Sequence, residues 1–198
     1  MTRTIGTALL VLLSAAAPAL AAPIVYTAVL SGAAENPPVV STGTGTATVT
    51  IDTALHTLRV EAAFQDLVGS TTAAHVHCCV AAPGTVGVAS AVPTFPGFPL
   101  GVTSGAYDMT FDLTLASSFN PAFVTANGSV AGAEAALAAG LAGNMAYLNI
   151  HTSFAGGGEI RGFLQQGRVP PVPEPALFLL VGLGLAGLVV RRRAARVP

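Results

Sequence analysis

Gly45-Thr46-Ala47-Thr48-Val49-Thr50-Ile51-Asp52-Thr53-Ala54-Leu55-His56-Thr57-Leu58-Arg59-Val60-Glu61-Ala62-Ala63-Phe64 decides the fold. Apolar side chains recur at every second position, as Ala47, Val49 and Ile51, then Leu58, Val60, Ala62 and Phe64. Successive side chains of a strand point to opposite faces, so this alternation predicts two strands, 45–51 and 55–64, each with one buried face. Asp52-Thr53 predicts the turn that closes them into a hairpin. The same period, with Val, Thr, Ile, Phe and Tyr enriched between Gly and Pro clusters, predicts strands at 24–30, 73–77, 107–115, 145–151 and 159–164. Many short strands separated by turn signals imply an all-β fold, an antiparallel β-sandwich or barrel. One short helical insertion interrupts it: Ser129 can cap a helix with Ala133, Leu137 and Leu141 on one face, ended by Gly140 or Gly143. The long Gly/Pro segment 80–104 contains Phe95, Phe98 and Leu100, which predicts a loop pinned over the sheet by buried rings.

Composition sets the class. The chain has 198 residues, 52% hydrophobic and 9% charged, and a mean hydropathy of +0.68. That excludes a disordered solvating chain, and the length fits one domain. All eight basic residues are Arg, and Arg191, Arg192, Arg193 and Arg196 lie at the extreme C-terminus. The body, 22–172, sets Arg59, Arg161 and Arg168 against eight Asp and Glu residues, a net charge of −5. An acidic body attracts cations and repels anionic polymers, and without a basic face no nucleic-acid partner is expected.

The two ends read as addresses. Arg3, the apolar run 5–13 and the small-x-small Ala19-Leu20-Ala21 form a signal peptide, 1–21, cut before Ala22. A spanning helix is the weaker reading, because the run is short of the ~20 residues a bilayer needs. At the other end, Pro170, Pro171, Pro173 and Pro175 make an extended linker. Residues 176–190 follow without a charge, and Arg191-Arg192-Arg193 closes them, so the Arg cluster stays cytoplasmic and the body is exported across the inner membrane. A permanent C-terminal anchor is one reading of this arrangement. The order Pro173-Glu174-Pro175, Gly-spaced apolar helix, Arg cluster resembles the PEP-CTERM sorting signal of Gram-negative bacteria. That resemblance implies an exosortase-type processing protease, cleavage near Pro173-Glu174-Pro175, and release from the membrane toward the cell surface or its exopolysaccharide and surface proteins.

Strand alternation also places polar residues. In Ala74-His75-Val76-His77 the two imidazoles share a face while Val76 turns inward, and Cys79 joins that face if the strand continues. In Tyr147-Leu148-Asn149-Ile150-His151, Leu148 and Ile150 go to the core, so Tyr147, Asn149 and His151 face the other way. Glu159 and Arg161 likewise lie opposite Ile160. If these strands adjoin, His75, His77, His151 and Cys79 converge as a copper or zinc site, with Asn149, Glu159 and Arg161 as outer partners. The alternative is a set of side chains hydrogen-bonded on a solvated sheet face. His56, near the hairpin turn, is expected to be simply exposed. Cys78-Cys79 leaves four states open: a vicinal disulfide, a metal thiolate, a disulfide between chains, or a free pair.

These residues carry a second resemblance. Leu30-Ser31-Gly32-Ala33-Ala34-Glu35-Asn36-Pro37-Pro38, Ala73-Ala74-His75-Val76-His77, Ala146-Tyr147-Leu148-Asn149-Ile150-His151-Thr152 and Gly157-Gly158-Glu159-Ile160-Arg161-Gly162 resemble the CHRD (chordin-type) domain. The resemblance implies a compact antiparallel β domain with no established activity. It gives the layout 1–21 signal peptide, 22–165 CHRD-like domain, 166–175 linker, and 176–198 hydrophobic sorting or transmembrane helix with an Arg-rich tail. The expected function is a surface-targeted binding or structural module, with a metal as the candidate ligand. The rival is a small copper or zinc oxidoreductase, because His75-Val76-His77 is similar to the copper-ligand pair of the Cu/Zn superoxide dismutase fold. No His-rich loop completes that dinuclear site, and no phosphate loop or nucleophile elbow is present, so no catalytic residue is assigned.

Overall fold

The computed structural model describes residues 22–167. The expected signal peptide, the expected linker from 168 onward and the apolar segment 176–198 lie outside the described residues. Eight strands form one antiparallel sheet: β1 (Ile24–Ser31), β2 (Thr44–Asp52), β3 (Thr57–Gln65), β4 (Thr71–Cys78), β5 (Gly105–Asp112), β6 (Ala146–Thr152), β7 (Ile160–Phe163) and β8 (Gln165–Gln166). The order across the sheet is β4-β6-β7-β1-β2-β3-β5, with β8 pairing β1. The sheet curls into a half-barrel, and its concave side holds the core: Tyr26, Leu30, Val49, Ile51, Val60, Val76, Leu148, Ile150 and Ile160 are all buried.

The hairpin forms as the alternation requires, with Val49 opposite Val60 and Ile51 opposite Leu58. Its turn is tied by Asp52, whose Oδ1 accepts from the Ala54 and Leu55 amides at 2.9 and 3.0 Å. His56 takes φ 53° to complete that turn, so β3 starts at Thr57 rather than at residue 55. The expected strand 107–115 begins earlier, at Gly105, and stops at Asp112, whose Oδ1 captures the Thr114 amide at 2.8 Å in a local turn. The expected strand 159–164 is β7, Ile160–Phe163, and a further two-residue strand, β8, follows it at Gln165–Gln166.

Two helices replace the single expected insertion. α1 (Pro121–Ala126) is capped by Asn120, which accepts from the Ala122 amide at 3.0 Å. α2 (Val130–Ala142) starts where Ser129 accepts from the Gly132 amide at 3.0 Å, and it buries Ala133, Leu137 and Leu141. Residues 79–104 connect β4 to β5, the two edge strands, and so cross the open side of the curl. Phe95 anchors this loop, stacked on Tyr107 with centroids 5.5 Å apart, and Phe98 stacks on Phe64 at the same distance. Each buried ring contributes roughly 1.5–3 kcal/mol. Leu100, between these anchors and β5, is half exposed. Among the described residues, no helix is long and apolar enough to cross a membrane.

Candidate metal centre

β4 and β6 pair directly, with His75 opposite Asn149, His77 opposite Tyr147 and Ala73 opposite His151. Val76, Leu148 and Ile150 enter the core, so the three histidines stand together on the convex face. Over β1, β3 and β5 that face is exposed, but at β4 and β6 it is not solvated. The loop after β4 and the turn after β6 fold over it, leaving His75 and His77 only 6 and 7% exposed.

Each imidazole is held from outside by a backbone carbonyl. His75 Nε2 donates to Pro93 O at 2.8 Å, His77 Nδ1 to Val86 O at 2.7 Å, and His151 Nδ1 to Gly156 O at 3.0 Å. A carbonyl only accepts, so these nitrogens carry the protons and the tautomers are fixed. The remaining nitrogens, His75 Nδ1, His77 Nε2 and His151 Nε2, are lone pairs. All three are shut from solvent and have no hydrogen-bond partner, and one ligand nitrogen from each histidine lies within 4.8 Å of the others. Burial lowers the pKa of all three, that of His77 to about 4, so all are neutral at pH 7. Buried, unpartnered lone pairs aimed at one small volume are unfavourable by themselves and could hold a cation.

A family model for the CHRD domain matches residues 26–164. The chain belongs to the CHRD domain family. A second model, for the PEP-CTERM protein-sorting motif, matches residues 171–193, which marks the protein for export and exosortase-type sorting at the membrane. No curated protein and no solved structure matches the chain. The CHRD match spans β1 almost entirely, then β2 to β7, and includes all three histidines.

Within this CHRD domain the other predicted residues fall elsewhere. Cys79 is bridged to Cys78, and its sulfur lies 3.4 Å from Ala136 O of α2, so no thiolate joins the histidines. The bridge fits because Gly140 is bare: a Cβ there would run into both sulfurs. Glu159 does not touch the imidazoles. It accepts from Ser41 Oγ (2.6 Å), the Val68 and Gly69 amides (2.6 and 3.0 Å) and Thr152 Oγ1 (2.6 Å). Burial pushes its carboxyl up, but these donors together bring it below the usual carboxylate range. Asn149 lies in register with His75, and its amide packs against Gly158, whose φ of 132° and missing Cβ make room for it. Asn149 therefore supports the turn that carries Gly156 O rather than a ring.

Arg161 acts one layer further out. It is 1% exposed and donates to Ala34 O (2.6 Å), Pro83 O (2.9 Å), Gly84 O (3.2 Å) and Thr85 Oγ1 (3.3 Å). Its guanidinium lies over the Tyr147 ring, 4.8 Å from the centroid, and Tyr147 stacks on His77 at 4.7 Å. The Tyr147 hydroxyl exchanges hydrogen bonds with Val86 N and O, both at 3.2 Å. Arg161 and Tyr147 thus fix the loop that presents Val86 O to His77. Glu35 faces Arg161 Nε at 3.7 Å. Burial raises the Glu35 carboxyl to about 7 while Arg161 pulls the other way. His56 is exposed, as expected, and its Nδ1 also lies 2.9 Å from Glu134 of α2.

Proposed function

We propose that the protein is an exported CHRD module that holds one copper or zinc ion on His75, His77 and His151 and is displayed at the cell surface after exosortase-type processing. One observation carries the metal reading: three oriented, buried imidazole nitrogens without partners, each backed by a carbonyl that fixes its tautomer. Elemental analysis of the protein isolated from its native cell envelope tests it. Stoichiometric copper or zinc that is lost in the His75→Ala/His77→Ala variant supports the site, and a folded, metal-free native protein rejects it. The shielding of the nitrogens favours holding an ion over turning over a substrate.

The display reading rests on the sorting motif and on the Arg cluster that follows the apolar segment. Glu174→Ala, or deletion of Arg191 to Arg193, is expected to retain a longer membrane-bound form, seen by mass spectrometry of the membrane and released fractions. Unchanged release of both variants rejects this part. The acidic body is suited to cationic or neutral surface partners rather than to anionic polymers.

A further inference from the structure

The donor set is electrically neutral. Among the described residues the metal-ligand group contains three histidines and neither a carboxylate nor a thiolate. The backing groups are carbonyls, which carry no net charge. Of the buried charged groups, Arg161 lies behind Tyr147, Glu35 faces that guanidinium, Glu134 pairs with His56, and Glu159 is taken up by Ser41, Val68, Gly69 and Thr152, so none of the carboxylates is among the ligand groups of the cage. The three free nitrogens are also closed to solvent.

We propose that the cage selects copper in its +1 state over zinc and over copper(II). This rests on the metal reading above and concerns which ion the site prefers. The cost of desolvating an ion rises with the square of its charge, so a divalent ion costs about four times as much as a monovalent one in the same medium. Nothing in the cage compensates that difference. Zinc, moreover, completes a tetrahedron and in a three-histidine site takes water or hydroxide as the fourth ligand. Hydroxide would also neutralise one charge, but the nitrogens offer it no open side. Copper(I), a d10 ion content with three nitrogen donors in a plane, needs neither the extra ligand nor the extra charge. With bonds of about 2.0 Å, such a plane sets its donors about 3.5 Å apart, so the rings must draw in from the 4.8 Å envelope. His151 is the most exposed of the three and lies one residue from the end of β6, so of the three it has the fewest neighbours to displace.

The test is an anaerobic competition titration of the full-length protein in mild detergent. Copper(I) is supplied as its acetonitrile complex against bicinchoninate, and zinc and copper(II) are titrated in parallel against chelators of known affinity. One copper(I) per chain is expected, bound at least 100-fold tighter than either divalent ion, with X-ray absorption showing three nitrogens and no fourth donor. His151→Gln removes one ligand at the half-exposed position, and is expected to weaken copper(I) by at least 10-fold with the circular dichroism unchanged. Equal or tighter binding of zinc or copper(II), or a four-coordinate copper(I), overturns the selectivity and leaves the metal site standing. Binding of none of the three ions overturns both.

Discussion

Replacing Arg161 by Met is expected to destabilise the domain by about 3–5 kcal/mol, the range for breaking a buried charged network. The wild-type guanidinium is 1% exposed and satisfies Ala34 O, Pro83 O and Gly84 O from two separate segments of the chain. Methionine fills part of the volume but removes the charged donor from three part-buried hydrogen bonds, at roughly 1 kcal/mol or more each. Glu35 loses the guanidinium beside it, and takes a proton instead of standing as a bare charge, which keeps the total below a full ion-burial penalty. The chain has no Trp, but Tyr26, Tyr107 and Tyr147 are all buried, so tyrosine fluorescence reports unfolding directly. In urea the midpoint should fall by about 2 M for a domain of this size. Arg161→Lys keeps the charge but cannot reach the same set of acceptors, and should fall between the two. A Met variant within 1 kcal/mol of wild type would refute the claim that Arg161 staples the 83–86 segment to the sheet.

Glu35→Gln should reshape the dependence of stability on pH. The folded carboxyl titrates at about 7 against a usual 4.5, so the native state holds a proton that the unfolded chain has released. That contribution is complete below 4.5 and is lost as pH rises through 7. Relative to Glu35→Gln, wild type should therefore lose about 3 kcal/mol across this window, measured by urea titrations at pH 4.5 to 8; parallel curves reject the shift. Glu159→Gln places an amide NH2 against amide and hydroxyl donors that now converge on a carboxylate. We expect a loss of about 2–4 kcal/mol by the same assay, and a change under 1 kcal/mol refutes its role as the clamp of residues 41, 68, 69 and 152. Gly140→Ala should lower stability by about 1–3 kcal/mol, since its methyl meets the Cys78 and Cys79 sulfurs. In a Cys78→Ala/Cys79→Ala background the same change should be close to neutral; an equal loss in both backgrounds points to another cause.

Much of the fold was legible because one face of each strand is buried. Thr46, Thr48 and Thr50 alternate with Ala47, Val49 and Ile51, and only one register satisfies both hairpin arms. α1 was missed although Asn120-Pro121 is a start signal, because it has only six residues, and the two that pack against the core, Phe123 and Val124, are adjacent and show no apolar period. The shared face of His75 and His77 follows from alternation alone. That His151 joins them depends on β4 pairing with β6 across 67 residues of intervening chain, which no local pattern encodes. The acceptors from Pro93, Val86 and Gly156 were invisible because every residue carries a carbonyl. Glu159 and Arg161 were given the correct face but the wrong company: other loops return to bury them, and alternation says nothing about what covers a face.

The loop joining the two edge strands also governs how copies of the molecule can meet. Along β4, Val76 O receives the Ala89 amide at 2.9 Å, Ala74 O receives the Phe95 amide at 3.1 Å, and Thr94 Oγ1 accepts from the Ala74 amide at 2.9 Å. These contacts occupy the outer rim of that strand, whereas the outer rim of β5 has no strand partner among the described residues. Fibril growth by strand addition needs two bondable rims per subunit. A subunit with one rim can at most pair with a second copy and then terminates the assembly, and here the single rim bears Asp108 and Asp112, which would be brought together in such a pair. Strand addition is thereby limited to one rim by the same segment that orients His75 and His77.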